Sequence, residues 1–166
     1  MFYGISMSIV PVVGYHLGQA NKKELHSLWH NGMILMGGTG LIVAALSIGF
    51  AGPIARIFVG YHETLTDLST HALRLVSLYL LLNGITIYGG SYFTGLNQGT
   101  ASLNVALAKG IVGPLLLIWL LPAMFGADAI WLTTPGSELI AAIVMAGFII
   151  WWWHGTEDRH LGEKEE

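Results

Sequence analysis

Two ionisable residues stand inside apolar runs, and they are the best candidates for chemistry. Glu138 is the tenth residue of the stretch Ala129–Trp153. At 1.5 Å per residue it lies about 13 Å from the outer end, close to the middle of a bilayer. An acid there costs about 2.5–3.5 kcal/mol on insertion scales, so it needs a partner or a function. Lys109 is the eighth residue of the stretch Ser102–Leu121, about 10 Å from the inner end. With the two stretches antiparallel, Glu138 is about 17 Å from that same end, and the gap of about 7 Å is within reach of a lysine stem and a carboxylate. The spacing therefore predicts a Lys109–Glu138 pair. Such a pair either locks two helices or handles an ion or substrate directly.

The second candidate is the polar run Leu75–Leu96. Asn83, Thr86, Tyr88, Ser91, Tyr92 and Thr94 interrupt it, together with Gly84, Gly89, Gly90 and Gly95. Gly84, Tyr88, Ser91 and Gly95 fall along one helical face, and Asn83, Gly90, Thr94 and Asn97 along the next. Such faces suit protein or a wet cavity better than lipid. Asn83, Thr86, Tyr88 and Ser91 are the candidates for lining it. Asn83 and Thr86 offer oxygen to a substrate or cation; the competing reading is ordinary hydrogen bonding between helices.

Other chemistries find little support. His26 and His30 are four apart, as in half a zinc site, but no third ligand or HExxH glutamate accompanies them, so no metal is expected. Gly37-Gly38-Thr39-Gly40 lacks the lysine of a phosphate-binding loop. No nucleophile–base pair suggests an enzyme. The charges are too few and scattered for nucleic acid.

These residues have to be positioned in lipid. Only 10% of the 166 residues are charged and mean hydropathy is +0.63, against about a quarter charged in soluble domains. Half of the ten acids lie in the last ten residues, so the net charge of −3 says little about partners. Without cysteine there is no disulfide framework. The expected fold is all-α: a polytopic transmembrane bundle with spans at about 1–18, 28–52, 75–96, 102–121 and 129–153. Residues 154–166 form a hydrophilic tail. Residues 1–18 carry Pro11, begin without a polar anchor as if inside a helix, and do not read as a signal peptide. Between the spans, 53–71 reads as a connector. Ile54, Arg56, Ile57 and Phe58 form a short interfacial amphipathic helix within it, and His62, Glu63, Asp67 and His71 make the rest wet. Gly95–Gly99 is a tight turn. Trp151, Trp152 and Trp153 form an interfacial aromatic belt. Lys22, Lys23, Lys109, Arg159 and Lys164 on one side, against Arg56 and Arg74, put the tail in the cytoplasm.

The order of these features resembles the C-terminal part of the multidrug and toxic compound extrusion (MATE) family, from the second half of helix eight to helix twelve. Gly14-Tyr15-His16-Leu17-Gly18-Gln19-Ala20-Asn21 is similar to the end of the eighth helix, with His16 where Asn is more usual. Phe93-Thr94-Gly95-Leu96-Asn97-Gln98-Gly99 is similar to the end of the tenth. Lys109 falls where the eleventh carries Arg. Leu121-Pro122, Phe125-Gly126, Ala129-Ile130-Trp131, Pro135 and Ser137-Glu138 are similar to the entry into the twelfth, with Ala129 in place of Gly. The resemblance implies part of one lobe of a twelve-helix antiporter of the plasma membrane. Two such lobes rock around a cavity to export drugs and organic cations in exchange for H⁺ or Na⁺. The missing N-terminal lobe would be this chain's partner, together with the lipid bilayer, and no cofactor beyond the coupling ion is implied. The tenth helix lacks the acid that several members carry, which points coupling toward the missing lobe. The piece alone is expected to be inactive. The alternative is a small non-transporting membrane subunit that packs against a partner protein.

Overall fold

The computed structural model describes residues 2–60 and 63–162, with side chains to Trp153. The sequence expectations for His62 and residues 163–166, and for the side chains of 154–162, lie outside the described residues.

Every described element is helical: α1 (Phe2–Gly18), α2 (Lys22–Gly49), α3 (Ala51–Val59), α4 (Glu63–Ser77), α5 (Tyr79–Gly95), α6 (Gly99–Leu107), α7 (Gly113–Phe125) and α8 (Thr133–Gly162). A π turn, Ala108–Val112, joins α6 to α7, and a 3₁₀ turn, Ala127–Leu132, leads into α8. Among the described residues, Lys22–Gly49, Glu63–Gly95, Gly99–Phe125 and Ala127–Trp153 are long and apolar enough to cross a membrane. The molecule is a transmembrane helix bundle. α1, at 17 residues, is about 26 Å long, shorter than a hydrocarbon core of about 30 Å.

The connections show why the chain turns where it does. Asn97 takes φ 58. The Gln98 N–H then bonds to the Phe93 carbonyl at 2.9 Å and the Asn97 N–H to Thr94 at 3.0 Å, satisfying the end of α5. Asparagine tolerates that left-handed conformation better than most residues. The same pair of bonds ends α1, from Asn21 to His16 and from Ala20 to Leu17, both at 3.0 Å. Here the left-handed residue is Ala20, at φ 53. Asn21 then caps α2, its side-chain oxygen accepting the Glu24 N–H at 3.2 Å.

The segment 53–71 differs from a wet connector. Residues 53–59 belong to α3 and 63–71 to α4, and α4 runs into α5 with an interruption only at Leu78, where Leu81 N–H bonds three residues back at 3.2 Å. The polar residues that suggested a loop (Glu63, Asp67, His71) are spaced along one side of α4, while Thr66 and Ala72 are buried on another. Charge was a poor sign of loop here, because an amphipathic helix carries it equally well.

α5 is the central helix and packs on α1, α2, α6 and α8. Its Tyr88, Tyr92 and Phe93 form the core with Val13 of α1, Leu25 and Met36 of α2, and Ala141, Met145 and Trp152 of α8. Tyr88 and Tyr92 donate their hydroxyls to the Leu28 and Leu25 carbonyls, at 2.7 and 2.9 Å, stitching α5 to α2 one turn apart. Trp152 belongs to this core at 8% exposed, whereas Trp151 is 65% exposed. The tryptophan triplet is therefore split by helical rotation, and only part of it can face an interface. Trp153 meets His26 edge-on at 5.1 Å. Large apolar residues such as Trp119, Ile34 and Leu116 point outward, while Ser6, Asn83, Thr86 and Glu138 are buried. That inversion is what lipid as a solvent demands.

Close helix approach rests on glycine. A methyl group at Gly40 would lie 2.7 Å from the Leu80 carbonyl oxygen, a backbone atom that no rotamer change can move. At Gly90 it would meet nothing within 4 Å. Gly40→Ala should thus cost about 1–3 kcal/mol by overpacking, while Gly90→Ala should be close to neutral. Thermal unfolding of the purified variants in detergent checks the contrast.

Candidate functional site

Glu138, Lys109, Asn83 and Thr86 meet between α5, the π turn and α8. Asn83 and Thr86 are three residues apart on α5, so both side chains project from one face. Glu138 lies on the second turn of α8, where the helix is packed against the π turn and α7.

The π turn has an identifiable cause. In a regular helix Pro114 would leave the Gly110 carbonyl without a donor, and its ring would press on it. Widening the turn relieves this: the Gly113 N–H bonds back to Ala108, five residues away. Gly113 also permits the crossing with α8, since a methyl group there would lie 2.9 Å from Ser137 Cβ. Lys109 is the second residue of this turn, and Glu138 follows Ser137, so the close crossing brings the two charges together.

Lys109 Nζ lies 2.7 Å from Glu138 Oε1. It also donates to Asn83 Oδ1 at 2.6 Å and to Thr86 Oγ1 at 3.3 Å. An ammonium has three protons, and here each has an acceptor. Thr86 Oγ1 in turn donates to Glu138 Oε2 at 2.5 Å. The Asn83 carbonyl is a second possible acceptor for that proton, at 3.2 Å; the shorter bond to an ionised acceptor is the stronger. Thr86 thereby links both charges, presenting its hydrogen to the carboxylate and a lone pair to the ammonium. Glu138 is nearly sealed, with 2% of its side chain exposed, while 24% of Lys109 is exposed. The Tyr79 ring stands beside the ammonium, its centroid 6.0 Å from Nζ.

Of the other candidates, Tyr88 is turned away to α2, where it bonds to Leu28. Ser91 is half-buried on α5 and takes no part in the cluster. His26 is engaged with Trp153, and no group of three metal-ligating side chains occurs among the described residues. Gly113 and Tyr79 frame the cluster without having been singled out from the sequence, together with Ser137, which was noted there only beside Glu138. Pro114, five residues after Lys109, was the available sign that the helix could not be regular there.

The geometry can hold opposite charges in a low-dielectric setting and offers one side of the ammonium to its surroundings. Thr86→Val keeps the shape but removes a bond to a charged group, so it should cost about 1.5–3 kcal/mol. Ser91→Ala, outside the cluster, should stay within about 0.5 kcal/mol. Unfolding of both variants in detergent compares them.

A family model, MatE, matches residues 1–120. Comparison with curated proteins gives no match, and comparison with solved structures gives none either.

Proposed function

Because the chain belongs to the MatE family of multidrug and toxin efflux transporters, we propose that it is the C-terminal part of a secondary active antiporter. In this reading the whole protein exports organic cations and other drugs in exchange for H⁺ or Na⁺. Two lobes alternate between access to either side of the membrane, and the exposed side of Lys109, backed by the polar groups of α5, faces the cavity between them. Secondary transporters commonly place such groups near the bilayer midplane, where one half of the protein moves against the other. The tail would lie in the cytoplasm. This chain would supply one wall of the cavity, and the N-terminal lobe the other.

The observation that carries the reading is the cluster of Asn83, Thr86, Lys109 and Glu138. Charged groups at this depth are costly and mark ion or substrate pathways by default. The partial exposure of Lys109 leaves one side of the cluster open to a facing lobe.

Reconstituted alone into liposomes with an imposed H⁺ or Na⁺ gradient, the chain should export no cationic dye, since half a cavity encloses nothing. Gradient-dependent export by the isolated chain would contradict this. An immunoblot of native membranes with an antibody to Glu157–Glu166 separates the antiporter from a small non-transporting subunit. The antiporter reading expects a band above about twice this chain's 17.9 kDa. A band at 17.9 kDa would favour the subunit.

A further inference from the structure

Lys109 can be read as an occupant of the cluster as well as a member of it. Its Nζ is held by three oxygens, Asn83 Oδ1, Glu138 Oε1 and Thr86 Oγ1, at 2.6, 2.7 and 3.3 Å. All three come from helices other than its own, α5 and α8. Without the ammonium, what remains is a set of hard oxygen donors: one carboxylate, one amide carbonyl and one hydroxyl. All three residues are buried, Asn83 5%, Thr86 2% and Glu138 1% exposed. Such a set is a cation site by its chemistry. It carries a single negative charge, so one positive charge neutralises it, whereas a divalent ion would leave a net charge in lipid.

The ammonium reaches this set on a flexible four-carbon stem, and lysine heads are strongly hydrated and drawn to the interface. The stem starts from the π turn, about 10 Å from the inner end. With a quarter of its side chain exposed, Lys109 has a way out that Glu138 lacks. We propose that Asn83, Thr86 and Glu138 form a monovalent-cation site whose resident cation is the chain's own Lys109 ammonium. A free alkali or primary-ammonium ion takes its place when the lysine withdraws. As the seat of the exchanged cation, the site rests on the transport reading; as a binding site, it stands on the geometry alone.

The test uses the full chain in detergent with Lys109→Ala, a variant that vacates the site and leaves Glu138 without its partner. Thermal unfolding is followed in sodium chloride, methylammonium chloride or choline chloride at equal ionic strength. Choline carries the charge but no N–H and is too bulky for the space of one ammonium. The expected result is a midpoint at least about 5 °C higher in sodium or in methylammonium than in choline. The original chain should show no such difference, because its own lysine fills the site. Lys109→Ala combined with Glu138→Gln should show none either. A rise in sodium identifies an alkali site and a rise in methylammonium alone identifies an ammonium site; both support the proposal. Equal midpoints in all three salts for Lys109→Ala overturn it, as does equal aggregation in all three. An equal rise in the original chain or in the double variant also overturns it. None of these outcomes depends on transport, so the transport reading can fail while the cation site stands, and the reverse.

Discussion

A charge in hydrocarbon has to be answered, and this requirement organises the centre of the protein. The Lys109–Glu138 bridge joins two helices that are neighbours in sequence. By itself it would leave the remaining protons of the ammonium and the second carboxylate oxygen without partners. α5 supplies what is missing, Asn83 and Thr86 to the ammonium and the Thr86 hydroxyl to the carboxylate. Three helices are thus tied at one point by bonds that have no substitute in lipid. Removing one partner of a buried pair typically costs about 3–5 kcal/mol because the other is stranded. The pair therefore constrains which helices can be neighbours, more than it adds to net stability.

The rest of the fold serves this contact. α5 must be polar enough to reach the pair and small enough to lie deep in the bundle. Both needs explain its mixture of Asn, Thr, Tyr and Gly, which would be unsuited to a lipid-facing helix. Its Tyr88 and Tyr92 donate their hydroxyls to α2 carbonyls, so they hold the helix in place and leave Asn83 and Thr86 for the charges. On the other side, Pro114 forces the widened turn that carries Lys109, and Gly113 lets that turn cross α8 at Ser137. A proline and a glycine thus bring the lysine to its acid. Within the cluster only Lys109 keeps part of its side chain exposed, while Glu138 is nearly sealed.

Much of this was legible in the sequence because hydropathy and charge are themselves the signals lipid reads. Apolar runs of span length marked the long helices, and two charges whose depths differ by about 7 Å, a gap a lysine stem can bridge, marked the contact between them. The tight turn after α5 was visible in Gly95–Gly99. Other features were hidden for physical reasons. The split role of the three tryptophans follows from helical rotation, which places Trp152 inward and Trp151 outward; composition alone cannot register it. The helical state of 63–71 was masked by its charge. The π turn was hidden because one extra residue in a turn leaves no periodicity to detect, although Pro114 pointed to it. The division of labour on α5, with Tyr88 leaving the cluster and Thr86 joining both charges, depends on neighbours far away in sequence.

If Lys109 and Glu138 are energetically coupled, a charge-reversal cycle will show it. Lys109→Glu, Glu138→Lys and the combined exchange would be purified in one detergent and their unfolding compared with the original chain. Each single reversal should destabilise severely, and the exchange should recover at least about 1.5 kcal/mol relative to the sum of the two. Strict additivity of the two effects would contradict the coupling, and the cluster would then be a set of neighbours rather than the constraint on which the bundle depends.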